Sequence, residues 1–178
     1  MQISLVIGFL KKGQLQAALE AGKAIENKGL REAAYLKVYT WLLENDRVLE
    51  ADELAGKRLA GPGDRKVKMA KARSLAKRGE AEAAFEVAKS LSAHDLSPIH
   101  YALGRNRLDK GNVEEAEKSA ALIINGRLRQ DLLRFIALAQ LKAGNDEKAI
   151  TLIMEIEVER MRLIALLDLA KALASENR

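Results

Sequence analysis

One short pattern recurs through this chain and constrains what it can fold into more than any other feature. LKKGQLQAAL starts at Leu10, LAKRGEAEAAF at Leu75, LDKGNVEEAE at Leu108 and LKAGNDEKAI at Leu141. Two columns fix the period. Ala18, Ala51, Ala84, Ala116 and Ala149 follow one another at intervals of 33, 33, 32 and 33 residues. Twelve residues upstream stand Val6, Tyr39, Ala72, Gly104 and Ala137, with Ala170 one further step on. A unit of this length is one supersecondary element, too small to bury its own apolar face, so neighbouring units must stack.

Each unit reads as two helices. Leu132, Leu133, Ile136, Ala137 and Leu141 lie at i, i+3, i+4 spacing, which places one apolar stripe along the first helix. Gly144-Asn145 ends it, because glycine enters the left-handed C-terminal conformation at little cost. Asn45-Asp46 takes that place in the second unit, using residues that tolerate the same geometry. The second helix turns Ala149, Ile150, Ile153 and Ile156 inward. A small residue in each column lets the two helices cross closely. Gly61-Pro62-Gly63-Asp64 breaks the chain and offers Asp64 as an N-cap, and Ser97-Pro98 reads as an N-cap serine followed by proline at the first helical position.

The totals agree with an all-α protein. Only 2 prolines occur among 178 residues, with 48% hydrophobic and 31% charged. The absence of cysteine removes disulfides, thiolate metal sites and cysteine nucleophiles. The net charge of +5 comes from 30 bases interspersed with 25 acids, which suits solubility better than nucleic-acid binding. MQISLVIGFLKK lacks the basic start and small-residue cleavage site of a signal peptide. No uncharged run reaches the roughly 18–20 residues that span a bilayer. The expectation is a soluble protein, cytoplasmic in preference to periplasmic.

In Ser97–Ile124 the chain resembles the tetratricopeptide repeat, with Leu103-Gly104 as the small-residue pair of the first helix, Gly111-Asn112 as the turn and Ala116 as the packing alanine. The resemblance implies a right-handed α-solenoid of antiparallel helix hairpins forming a single domain over 1–178. Its units run roughly 1–28, 29–61, 62–95, 96–126 and 127–158, with a last helix in 159–178. The family's aromatic survives as Tyr35 alone, its closing proline is absent from most units, and the unit is one residue short, which keeps a HEAT-like or other hairpin array as the alternative.

The resemblance also implies a concave groove lined by the first helices. Its columns become Leu36, Met69, Tyr101, Arg134 and Leu167, then Thr40, Arg73, Arg105, Leu138 and Lys171, then Leu43, Ala76, Leu108, Leu141 and Ala174. An apolar floor crossed by Arg73, Arg105, Arg134 and Lys171 suits an acidic or amphipathic peptide, since guanidinium forks take carboxylates in bidentate fashion. The lysine–asparagine clamp of chaperone-binding members is not present.

No phosphate loop, HExxH helix or nucleophile elbow occurs. His94 and His100 have no second ligand at metal spacing, so neither a metal nor a cofactor is expected. The function read from sequence is a non-enzymatic scaffold or adaptor that binds a protein partner. An RNA-binding helical repeat is the first rival, weakened by the period and by the lack of repeated base-reading residues. The second is self-association through apolar terminal helices, for which Leu163, Leu166, Leu167, Leu169 and Leu173 cover more than one face.

Overall fold

The turn residues set the backbone. The structure, a computed structural model, describes residues 2–61 and 64–175. Among these there are eleven helices and no strand: α1 Gln2–Lys11, α2 Leu15–Lys23, α3 Lys28–Glu44, α4 Val48–Arg58, α5 Arg65–Arg78, α6 Ala81–Ala88, α7 Ala93–Asp109, α8 Val113–Ala121, α9 Gly126–Lys142, α10 Asp146–Met154 and α11 Glu159–Ser175. The turns after α1, α3, α5, α7 and α9 each hold one residue in the left-handed region: Gly13 at φ 70°, Asp46 at 57°, Gly79 at 84°, Gly111 at 78° and Gly144 at 81°. All five close in the same way. The N–H of the following residue donates to a carbonyl five residues back, as from Gln14 to Phe9 at 2.9 Å, Arg47 to Leu42 at 2.9 Å and Asn112 to Arg107 at 2.8 Å. The left-handed residue itself donates three back, as from Gly144 to Leu141 at 2.9 Å. This is the Schellman arrangement, which satisfies two orphan carbonyls at each helix end.

The two periodic columns fall inside. Ala18, Ala51, Ala84, Ala116 and Ala149 are all fully buried, as are Val6, Tyr39, Ala72 and Ala137. Gly104 shows why the side chain there must be small: a Cβ added to it would stand 2.5 Å from Leu132 Cδ2 and 3.1 Å from Ser119 Cβ.

The chain forms two compact units. The first takes the residues up to Ser74 together with Glu86–Lys89, the second Leu75–Phe85 together with the residues from Ser90 on. In the first, α1 packs on α2 and α3, and α3 also meets α2 and α4. Val6, Val38, Tyr39, Leu43 and Val67 fill the core between them. In the second, α7 packs on α8 and α9, while α9 also meets α8, α10 and α11. Its core centres on Leu132, Ile136, Leu141, Ile153 and Ile156.

Most long helices start on side-chain caps. Asn27 and Asn125 accept from the N–H of Leu30 and Leu128, both at 3.0 Å. Asp64 accepts from Lys66 N–H at 2.8 Å, the cap expected of it; Pro62 and Gly63 lie outside the described residues.

Three local expectations are corrected. Ser97 does not cap α7, and Pro98 sits inside that helix. A capping box wins instead, with Asp95 N–H donating to Ser92 Oγ and Ser92 N–H to Asp95 Oδ2, both at 3.4 Å. Ser97, fully buried, has another role: its hydroxyl accepts from the N–H groups of Ile124 and Asn125, each at 3.2 Å, where the chain leaves α8. Ala170 is exposed, because α11 turns Ala165 and Leu169 inward. Ile150 is 49% exposed, because α10 faces the core through Ala149, Leu152 and Ile153.

Candidate functional site

The groove positions expected from sequence fall in both units. In the first unit, Leu36 and Thr40 lie on α3, half-buried, and the Thr40 hydroxyl donates to the Leu36 carbonyl at 2.9 Å. That bond ties Thr40 to its own helix. Met69 is half-buried and Arg73 exposed on α5.

The second unit gathers more chemistry. Tyr101 and Arg105 on α7 meet Asp131, Arg134 and Phe135 on α9. The Tyr101 hydroxyl donates to Asp131 Oδ2 at 2.5 Å. The Arg105 guanidinium lies 3.5 Å from the centre of the Phe135 ring, and that of Arg134 lies 4.7 Å from it. A planar cation held on an aromatic face keeps its in-plane donors pointing outward. Arg134 sits between two carboxylates, Asp131 at 3.7 Å and Asp168 of α11 at 3.8 Å. Both exceed hydrogen-bond length, so they compensate charge without taking up the donors of the fork. Arg134 Nε is buried with no hydrogen-bond partner. Leu138 is half-buried beside this cluster on α9, and Lys171 is exposed on α11.

Electrostatics follow from burial. Burial pushes the Tyr101 phenol above its ordinary pKa, with the Asp131 hydrogen bond and charge adding to it and Arg105 pulling the other way. His100, one residue earlier, is pushed down, first by burial and then by Arg107. Its ring lies 5.1 Å from that of Phe85.

The sequence-based columns omitted Asp131, Phe135 and Asp168. Spacing carries the signal for the acids: each precedes one of the expected cations, Arg134 or Lys171, by three residues, the interval that puts two side chains on one helix face. The third column is not an apolar floor as a whole, since Leu43, Ala76 and Leu141 are buried in the helix packing, leaving Leu108 half-buried and Ala174 exposed. On the same face of α11 as Lys171 and Ala174, Leu163 and Leu167 are 58% and 54% exposed.

Among the described residues no group of His, Asp and Glu could hold a metal ion, and no helix is long and apolar enough to cross a membrane. The Tyr101–Arg134 cluster brings together two guanidinium cations, a phenol hydrogen-bonded to a carboxylate, and apolar surface. No family model, curated protein or solved structure matches the chain.

Proposed function

We propose that this chain is a non-enzymatic interaction scaffold, a right-handed solenoid of tetratricopeptide-like helix hairpins that holds an acidic or amphipathic segment of a partner protein. Support for the hairpin array comes from the five turns of one conformation and the buried alanine that follows each. The binding face of the second unit is built by Tyr101, Arg105, Arg134, Leu138 and Lys171; Leu36, Thr40, Met69 and Arg73 are the counterpart positions in the first.

The observation that carries this reading is the arrangement of Arg105 and Arg134 against Phe135. Two guanidinium groups held beside one aromatic ring lose little freedom when a carboxylate arrives, so a partner's acid is met by preorganised donors. Leu138 supplies apolar contact alongside.

Fluorescence anisotropy with short leucine-containing peptides, alike in length but acidic, neutral or basic, tests this. The acidic peptide binds, and Arg105→Ala and Leu138→Asp each weaken it at least tenfold. Equal affinity for all three peptides, or unchanged binding by both variants, contradicts the proposal. Tight binding of single-stranded RNA that falls steeply with salt replaces it with the nucleic-acid reading.

A further inference from the structure

A second surface, in the first unit and independent of the face of α7, α9 and α11, combines apolar depth with unbalanced charge. Between α2, α3 and α4 runs a trough of about 290 Å³. Leu15, Leu19, Leu42, Leu54 and Tyr35 supply its apolar lining. One end opens into a mouth lined by Lys23, Arg31, Lys57 and Arg58 around Tyr35, with no carboxylate in its wall.

At the mouth, the connection after α4 differs from those after α2, α8 and α10. Seven residues after the buried alanines Ala18, Ala116 and Ala149 stand Ile25, Ile123 and Ile156, all buried. Seven after Ala51 stands Arg58, exposed. The backbone differs with it. α2, α8 and α10 end five residues past their alanine, and the next residue caps in the right-handed region (Ala24, Leu122, Glu155). α4 continues through Arg58 and then leaves in extended conformation at Leu59, φ −115° and ψ −178°. Leu59, one residue later, packs against the core, and Arg58 stands exposed with its guanidinium 5.9 Å from the centre of the Tyr35 ring.

The charges around the trough are unequally satisfied. Glu50 is held by Arg47 through two bonds of 2.6 Å, Glu53 pairs with Lys57, and Glu20 accepts from Gln16 at 3.1 Å. Arg31 donates to the carbonyls of Ile25 and Glu26 at 2.8 and 3.2 Å. Among the described residues neither Lys23 nor Arg58 has a carboxylate within ion-pair distance. Basic residues at the ends of α2 and α4 also suit the helix dipole, yet that does not account for their convergence with Arg31 around Tyr35.

We propose that this trough docks a partner polypeptide segment in which apolar side chains precede carboxylates. The apolar residues lie along Leu15, Leu19 and Leu54, and the carboxylates enter the mouth between Lys23 and Arg58. Charge complementarity selects an acidic end, and the polar rim of Gln16 and Glu20 suits a peptide backbone better than an alkyl chain.

The test uses the full chain and a short N-acetylated peptide in which leucines precede a run of glutamates, followed by chemical-shift changes of backbone amides. Shifts confined to α2, α3 and α4, lost at least tenfold in affinity with Arg58→Ile and with a glutamine version of the peptide, support the proposal. Arg58 is exposed, so Arg58→Ile removes the cation without disturbing buried packing; Lys23→Ala, also at an exposed residue, is the second variant and weakens binding several-fold. Arg105→Ala leaves these shifts unchanged. Full binding by both Arg58→Ile and Lys23→Ala overturns the proposal. So does displacement of the peptide by a long-chain fatty acid, which assigns the trough to a lipid.

Discussion

Gly104→Ala is the sharpest probe of how closely these helices approach. The new Cβ would stand 2.5 Å from Leu132 Cδ2, 3.1 Å from Ser119 Cβ and 3.2 Å from Leu132 Cδ1. Carbon atoms pack best at about 3.5–4.0 Å, so the nearest pair overlaps by roughly an ångström. Leu132 is fully buried and has no open side into which to swing. Overpacking of this kind costs about 1–3 kcal/mol. Replacing a mid-helix glycine by alanine returns about 1 kcal/mol through backbone entropy and propensity. The net expectation is a loss of about 1 kcal/mol, from the difference of those two magnitudes.

Gly8 and Gly56 supply the contrast, because an added Cβ at either meets nothing within 4 Å. There the propensity gain acts alone, and alanine stabilises by roughly 0.5–1 kcal/mol. Urea unfolding followed by far-UV circular dichroism measures all three variants. Combining Gly104→Ala with Leu132→Val adds a second check, since trimming leucine relieves the overlap and makes the double variant more stable than the sum of the singles. A Gly104→Ala protein as stabilised as Gly56→Ala, or strict additivity in the double variant, would refute the close-approach argument.

Three further expectations follow from buried polar groups. Ser97→Ala strands the N–H groups of Ile124 and Asn125 and costs about 1–3 kcal/mol, with faster hydrogen exchange at those two amides as the specific readout; unchanged exchange contradicts the role given to Ser97. The Tyr39 hydroxyl is buried without a hydrogen-bond partner, and burial followed by the charge of Asp52 pushes its pKa up. Tyr39→Phe is therefore neutral or stabilising by about 1 kcal/mol, whereas a hydroxyl in a real bond would make it costly. His100 has a folded-state pKa below its ordinary value, so the unfolded chain takes up a proton first as pH falls. Stability from this group is fully present above pH of about 6.5 and declines as pH drops towards the folded-state value; His100→Phe, facing Phe85, removes that step, and an identical pH profile in the variant contradicts it.

What could be read from sequence was what leaves a one-residue trace. A left-handed turn needs glycine or a tolerant aspartate, so Gly13, Asp46, Gly79, Gly111 and Gly144 announced themselves at matching intervals. A close crossing needs a small residue, so the alanine column was visible too. Features decided by competition between partners were not. Ser97-Pro98 carries a helix-start signature, but Ser92 and Asp95 form a reciprocal cap five residues earlier and leave Ser97 to secure a neighbouring connection. Arg134 was visible in the sequence as a cation, whereas its pairing with Asp131 and Asp168 depends on side-chain reach along α9 and across to α11. Arg58 is set apart only by comparison with buried Ile25, Ile123 and Ile156, which stand seven residues after their alanines as it does after Ala51.

The central claim, that this chain holds a protein partner through Arg105 and its neighbours, is tested most directly by affinity isolation from lysate of the source cell, with and without nuclease. The bait and an Arg105→Ala/Leu138→Asp variant of matched stability run side by side. A protein retained through nuclease treatment by the parent chain, and absent from the variant, is the predicted result. Equal recovery by both baits, or material that disappears with nuclease, contradicts it.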